Sequence, residues 1–177
     1  MADEKKEPWL NYLALTTIVF AVAATLSTFK GGGYSTKSVL SQEQASNKWA
    51  YFQSKSLKLY IYETQKEALE LDILRISKSE TGVKDAYQKK IDDFDTSIKR
   101  YEKEKAEIKK EAEQFETLRD EAQIHSKAFG MAVIFLQISI LLSSISALIK
   151  RKYLWHIAMI VGAVGLFYFL NGFLLFL

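Results

Sequence analysis

The sequence predicts an all-α membrane protein: three transmembrane helices, with an extramembrane antiparallel coiled-coil hairpin between the first and the second. Three observations predict this fold class. Apolar blocks long enough to cross a bilayer occupy 9–29, 128–149 and 154–177. The stretch between the first two blocks is rich in charge and has the apolar periodicity of a helix. The 177-residue chain contains a single proline, so little in it opposes helix formation.

The first predicted span, 9–29, follows a polar leader at 1–8. About 30 Å of hydrocarbon needs roughly 20 helical residues, and this run supplies them. Trp9 suits one membrane interface and Lys30 the other. A cleaved signal peptide is the alternative, since Ala21-Val22-Ala23 mimics a cleavage site. The leader contains more acids than bases, which favours a retained span.

The strongest helix breaker in the sequence is a run of three glycines, Gly31, Gly32 and Gly33. It predicts a hinge at 30–35, after which 36–127 forms the helical hairpin. A second breaker at 79–82 predicts the turn of that hairpin, with two nearly equal arms of about 65 Å each by helix rise. Equal arms rooted at membrane spans indicate an antiparallel pair standing off the bilayer.

The second arm has one narrow apolar stripe with charge elsewhere, which is typical of a coiled-coil seam. Its residues recur in alternating steps of four and three, or in their sum of seven, at Tyr87, Ile91, Phe94, Ile98, Tyr101, Ile108, Ala112, Phe115 and Ala122. No proline interrupts the chain from there to Ile149, so the arm is predicted to continue as one helix into the span at 128–149. Between Lys30 and Lys127, nineteen Lys and Arg residues face eighteen Asp and Glu residues, which excludes a basic footprint for nucleic acid.

The first arm carries a block of aromatic and aliphatic residues that covers more than one helix face. A two-helix hairpin buries only one face of each arm, so we expect something else to cover the rest. The predicted contact residues are Trp49, Tyr51, Phe52, Leu59, Tyr60 and Tyr62. A neighbouring copy of the same chain is the favoured partner, and a different protein is the alternative.

Three consecutive bases, Lys150, Arg151 and Lys152, occupy a predicted loop at 150–153 between the last two spans. Short basic loops face the cytoplasm in most membrane proteins. Three spans then place the amino terminus in the cytoplasm and the hairpin outside, in the periplasm of a Gram-negative cell. The inverted topology is the alternative, because long loops cross membranes regardless of their charge.

Nothing in the sequence points to catalysis, a metal or a cofactor. Cysteine is absent, so there is no thiol chemistry. His125 and His156 lie near span ends, where histidine is commonly an interfacial side chain. The three glycines lack the context of a phosphate loop. The middle of each span lacks Asp, Glu, Lys and Arg, which argues against a proton relay or a coupled ion pump. We therefore predict a protein that is not an enzyme.

Polar residues do occur inside the second span. They are Gln137, Ser139, Ser143, Ser144 and Ser146. Serine in a membrane helix usually bonds to its own helix or to a neighbour, so interhelical packing is one interpretation. The other is a pore, because we expect spacings of three and four to place Gln137 with Ser139, Ser143 and Ser146 on one side of the helix.

Three stretches resemble a bacterial family of small three-span inner-membrane proteins that is described as a domain of unknown function. They are Glu7–Thr17 (EPWLNYLALTT), Gln44–Ser56 (QASNKWAYFQSKS) and the span that contains Gln137-Ile-Ser. The resemblance covers most of the chain and is most specific in the aromatic block. It implies an inner-membrane protein with a helical insertion after the first span. It implies no activity, ligand or catalytic residue.

Three functions follow as expectations. The first is a membrane-anchored, homo-oligomeric scaffold or spacer that assembles through its hairpin and spans. The second is an oligomeric channel whose pore is lined by the polar face of the second span. The third is an accessory subunit of a larger membrane complex, with the aromatic block as its contact surface. The lipid bilayer is the common partner of all three.

Overall fold

The computed structural model describes residues 8–76 and 81–176, and in this part of the chain all regular structure is α-helical. Three helices follow one another: α1 (Pro8–Arg75), α2 (Thr81–Ile149) and α3 (Lys152–Leu174). Each contains a stretch long and apolar enough to cross a membrane. The predicted all-α class is confirmed, and so is the prediction that α2 continues through Ile149 without a break.

Contacts divide the described chain into two compact units. The apolar unit comprises residues 8–40 and 118–176, and it contains the amino-terminal part of α1, the carboxyl-terminal part of α2 and all of α3. The charged unit comprises 41–117, with the remaining parts of α1 and α2.

Small residues bring the helices of the apolar unit close together. Its central cluster joins α1 to α2 through Phe20, Ala23, Ala24, Ala132 and Leu136. Helix α3 approaches through two glycines. A Cβ atom on Gly162 would collide with the ring of Phe20, and one on Gly165 would lie 2.8 Å from Cγ of Leu136. Close approach at small residues is the usual packing mode of helices whose surroundings are apolar.

The connection from α2 to α3 is two residues long, Lys150 and Arg151. Lys150 adopts a left-handed conformation (φ 50°), which ends α2 sharply. The Arg151 amide donates to the Ser146 carbonyl at 3.2 Å, and the Ser146 hydroxyl donates to the Arg151 carbonyl at 2.8 Å. The predicted loop at 150–153 is therefore too long, because Lys152 already begins α3.

In the charged unit, the segments of α1 and α2 run antiparallel. Three ion pairs show this: Lys48–Glu111, Lys55–Glu104 and Lys66–Asp95. From one pair to the next, the residue number rises on α1 and falls on α2. The apolar stripe predicted on α2 is largely the buried face of this unit, with Ile91, Phe94, Tyr101, Ile108 and Ala112 buried. Apolar periodicity therefore identified the contact face correctly.

The predicted hinge at Gly31, Gly32 and Gly33 is wrong, because these residues lie inside α1. Contacts with α2 support the helix there. The Gly31 carbonyl accepts a hydrogen bond from the Ser126 hydroxyl at 3.1 Å, and a Cβ on Gly31 would lie 3.0 Å from Cβ of Phe129. Tertiary contact thus outweighs the low helix propensity of glycine, which costs about 1 kcal/mol per residue.

The predicted turn at 79–82 falls partly outside the described residues, which omit Ser79 and Glu80. Thr81 and Gly82 belong to the first turn of α2, so Gly82 is not the turn residue that the sequence suggested. Residues 1–7 of the predicted leader also lie outside the described chain.

Candidate interaction sites

The aromatic block of α1 is partly used inside the charged unit. Leu59 is buried at 8% exposure, so its prediction as a contact residue for another molecule is wrong. The ring of Tyr62 lies 5.4 Å from that of Phe94, and the Trp49 indole donates to Glu116 at 2.9 Å. These side chains hold α1 against α2.

Two further members of the predicted block are exposed, and one is half-buried. Tyr51 and Tyr60 expose about half or more of their surface, at 49% and 64%. Phe52 is half-buried and makes an edge-to-face contact with Trp49, with ring centroids 5.5 Å apart. The block is therefore divided between an internal and an external face.

Ion pairs flank the internal face and have a measurable electrostatic consequence. The Lys55 ammonium lies 2.5 Å from the Glu104 carboxylate, and this hydrogen bond holds the pKa of Glu104 below its usual range. The same bond raises the pKa of Lys55. Hydrogen bonding to Asp95 likewise raises the pKa of Lys66. The carboxylates of these pairs keep 34% and 40% of their side-chain surface in contact with water, so ion pairing adds little to stability.

The opposite face of α1 in the charged unit carries an exposed, uncharged stripe that we call the charged-unit seam. Its spacing alternates between four and three residues over Ala50, Ser54, Leu57, Ile61, Thr64, Ala68 and Leu71. Leu57 is 61% exposed and Leu71 is 59% exposed. Two residues along a helix turn the direction by about 200°, so Leu57 points away from the buried Leu59. None of the seam residues is among the predicted contact residues, although the lack of charge at heptad spacing is visible in the sequence.

The polar residues of α2 in the apolar unit do not share one face. Ser139, Ser143 and Ser146 are fully buried, and the Ser139 hydroxyl donates to the Ala158 carbonyl of α3 at 2.7 Å. Gln137 and Ser144 are exposed, and Ser144 donates to a carbonyl of its own helix. The expectation of one pore-lining face is wrong, because Gln137 and Ser139 differ by two residues and so point in nearly opposite directions.

The histidines take structural positions. Nδ1 of His125 donates to the Gly172 carbonyl at 2.8 Å, because a carbonyl oxygen only accepts, and the His125 ring stacks on Tyr34 at 4.3 Å. His156 is exposed beside Trp155. Residues 8–76 and 81–176 contain no group of three or more side chains arranged to hold a metal ion.

These features define a class of protein: an all-helical chain with three membrane-length apolar stretches and an antiparallel helix pair rich in charge. The chain belongs to the family described as Domain of unknown function (DUF4337), whose family model matches residues 9–175. The resemblance to a family of that description is thereby confirmed. Neither a curated protein nor a solved structure matches the chain.

Proposed function

We propose that this protein is a non-enzymatic, membrane-anchored scaffold whose copies associate side by side through the charged-unit seam. In this proposal the apolar stretches of α1, α2 and α3 cross the bilayer, and the helix pair of the charged unit is an extramembrane coiled-coil hairpin. The observation that carries the proposal is the exposed, uncharged seam from Ala50 to Leu71.

Three apolar stretches and the basic connection support a membrane location and a sidedness. Lys150 and Arg151, which join α2 to α3, are exposed, and so is Lys152, the first residue of α3. Short basic connections face the cytoplasm. With three spans, the amino terminus is then cytoplasmic and the charged unit lies outside an inner membrane, in the periplasm. The carboxyl terminus lies on that outer side too.

The composition of the seam supports a helix as its partner. The seam residues alternate between the two positions of a heptad that form a coiled-coil core. Ile61 occupies one of these positions, and Leu57 and Leu71 occupy the other. All seven seam positions are exposed to water, so a helix packed on them would bury apolar surface. Such burial stabilises the association by about 25 cal/mol per Å² of apolar surface. Neither charge nor proline interrupts the seam, so a helix can pack along its whole length.

A second copy of this chain fits the seam better than an unrelated partner does. All copies insert into one membrane in the same orientation, so their seams meet in parallel and each residue lies opposite its own counterpart. A coiled-coil interface is self-complementary in that arrangement, with Leu57 meeting Leu57 and Ile61 meeting Ile61. In the accessory-subunit alternative, a helix of a different chain occupies the same seam.

A channel is not part of the proposal. The serines expected to line a pore are buried within the chain, and Ser139 and Ser146 have hydrogen-bond partners there. Only Gln137 and Ser144 of the predicted polar face point outward.

The test uses the absence of cysteine from the chain. A single-cysteine variant, Ser54→Cys, is oxidised in native membranes and examined for covalent dimers. We expect efficient cross-linking, because Ser54 lies in the seam opposite its counterpart. Ala106→Cys is the matched control, since Ala106 is exposed on α2 of the same unit but away from the seam.

The mass of the protein extracted in native lipid discs supplies the second readout. We expect a multiple of the 20.2 kDa chain, with fewer copies after Leu57→Glu with Ile61→Glu and no change after Ala106→Glu. A single copy in the unaltered protein, or a complex with a different chain, would refute self-association.

A further inference from the structure

A second exposed seam lies on α2 within the apolar unit. Its six residues are Gly130, Ile134, Gln137, Leu141, Ser144 and Leu148, again spaced by alternating four and three. All six are exposed, and Leu148 is 83% exposed. They lie nearly opposite the centre of the buried face of α2, where Ala132, Ser139 and Ser143 are buried inside the unit. We call this stripe the apolar-unit seam.

The centre of this seam is a primary amide that has no hydrogen-bond partner in the described chain. Gln137 lies eight residues from Phe129 and twelve from Ile149, so by helix rise it is at least about 12 Å from either end of the apolar stretch. In the proposed membrane location, its side chain is too short to reach interfacial water. A polar group in hydrocarbon requires a partner, and lipid chains supply none.

Other polar side chains at comparable positions differ from Gln137. Thr17 and Thr25 donate to carbonyls of their own helix, as Ser144 does. Ser139 is satisfied by α3. Hydroxyl groups can be satisfied locally in this way because each has one proton to donate. An amide has two donor hydrogens and an acceptor oxygen, so it needs a partner beyond its own helix.

We propose that the apolar-unit seam is the contact between the spans of two copies, with the two Gln137 amides hydrogen-bonded to each other. Copies in one membrane are parallel, which places Gln137 opposite Gln137 at the same depth. An amide both donates and accepts, so two identical amides satisfy each other. Gly130 favours close approach at one end of the seam, because no atom lies within 4 Å of the position its Cβ would take. The contact rests on the proposed function in two respects, the membrane location and the parallel orientation of copies, but not on the charged-unit seam.

The test places single cysteines in the full chain, reconstituted at low density in phospholipid vesicles. Leu141→Cys lies in the seam. Ile157→Cys, exposed on α3, is the control at nearly the same depth, because Ser139 contacts Ala158 and both cysteines lie within two residues of that contact. We expect oxidation to link Leu141→Cys into dimers and to leave Ile157→Cys monomeric. Equal yields from the two variants would overturn the proposal.

The role of the amide is tested in the Leu141→Cys background. Gln137→Leu is expected to lower the dimer yield about three- to tenfold, the range for one interhelical hydrogen bond in a bilayer. Ile138→Leu, on the neighbouring exposed face, is the control and should not change it. An unchanged yield with Gln137→Leu would overturn the pairing of the two amides.

Ser54→Cys in the same vesicles separates this inference from the proposed function. Cross-linking through Ser54→Cys without cross-linking through Leu141→Cys refutes the contact between spans and leaves the charged-unit seam standing. The reverse result supports the contact between spans and refutes the charged-unit seam.

Discussion

The apolar unit and the charged unit share two helices, α1 and α2, but they pack by different means. In the apolar unit, α1 meets α2 through Ala23, Ala24 and Ala132, and glycines of α3 admit the larger rings. In the charged unit, contact is made by large side chains such as Tyr62 and Phe94, and ion pairs flank them.

The difference follows from the solvent that each unit faces under the proposed function. In water, burying a large apolar side chain is favourable in itself, so the charged unit uses bulky residues. In hydrocarbon, the lipid is as apolar as the protein interior, so helices associate through close packing and hydrogen bonds instead. The composition of each interface therefore indicates whether the unit is surrounded by water or by lipid.

The largest effect is expected from removing a buried ring in the apolar unit. Phe129 is fully buried and lies 4.9 Å from the ring of Phe173. Phe129→Ala should lower the free energy of unfolding by up to about 3 kcal/mol, because the packed helices leave a cavity where the ring was and, in lipid, this cavity term is the main cost. Hydrogen exchange resolved along the chain measures this as lost amide protection in α3.

Two variants sharpen that measurement. Phe94→Ala, in the charged unit, should lower the protection of amides from exchange only within residues 41–117, because each unit has contacts of its own. Phe167→Ala removes a ring that is 46% exposed and should leave α3 protected. If Phe129→Ala and Phe167→Ala behaved alike, the tight packing inferred for the apolar unit would be incorrect.

An intermediate effect on stability is expected when either of two glycines in the apolar unit is replaced by alanine, and the two replacements should have opposite signs. Gly162→Ala should destabilise by about 1–3 kcal/mol, because its Cβ collides with the ring of Phe20. Gly32→Ala should stabilise by up to about 1 kcal/mol, because Gly32 is helical and no atom lies within 4 Å of the added methyl. Thermal unfolding in lipid discs compares the two. Destabilisation by Gly32→Ala would indicate that the glycine run bends or opens in the working protein.

The smallest effect is expected from pH, and only in the charged unit. The pKa of Glu104 is held below its usual range by Lys55, so the stabilisation from this pair is present above the usual carboxyl pKa. It is lost as the pH falls through the lowered value. The raised pKa of Lys55 means that the same stabilisation is also lost at strongly alkaline pH.

Thermal unfolding followed by circular dichroism, from neutral to acidic pH, measures this dependence. Glu104→Gln should reduce the loss of stability on acidification relative to the unaltered chain, and the difference isolates this carboxyl group from the others. Identical pH profiles for the two proteins would show that the pair contributes nothing to stability.

Much of the fold was predictable because strong periodicity extends over long stretches. The apolar stripe from Ile91 to Ala112 was identified from spacing alone, and it is buried as expected. The glycine run is helical and not a hinge, and Gly31 within it contacts Phe129 and Ser126, which are distant in sequence. Local propensity carries no information about such contacts.

The candidate sites were less predictable, since a helix surface rich in apolar residues does not reveal which face is internal. Leu59 and Leu57 are chemically identical, yet one is buried and the other exposed. The polar residues of α2 were assigned to one face although the two-residue step from Gln137 to Ser139 separates them by about 200°. A helical projection of the sequence is sufficient to correct the second error, whereas only the structure corrects the first.

The two-residue connection at Lys150 and Arg151 also limits how copies of the chain can exchange parts. If both helices cross one membrane, α3 must re-enter the bilayer within about 11 Å of the end of α2, because the two linking residues span no more than that. Opening of the hairpin would instead carry the apolar α3 out of the lipid and into water. Under the proposed membrane location, exchange of α3 between copies is therefore disfavoured, and α2 and α3 enter an assembly as one hairpin.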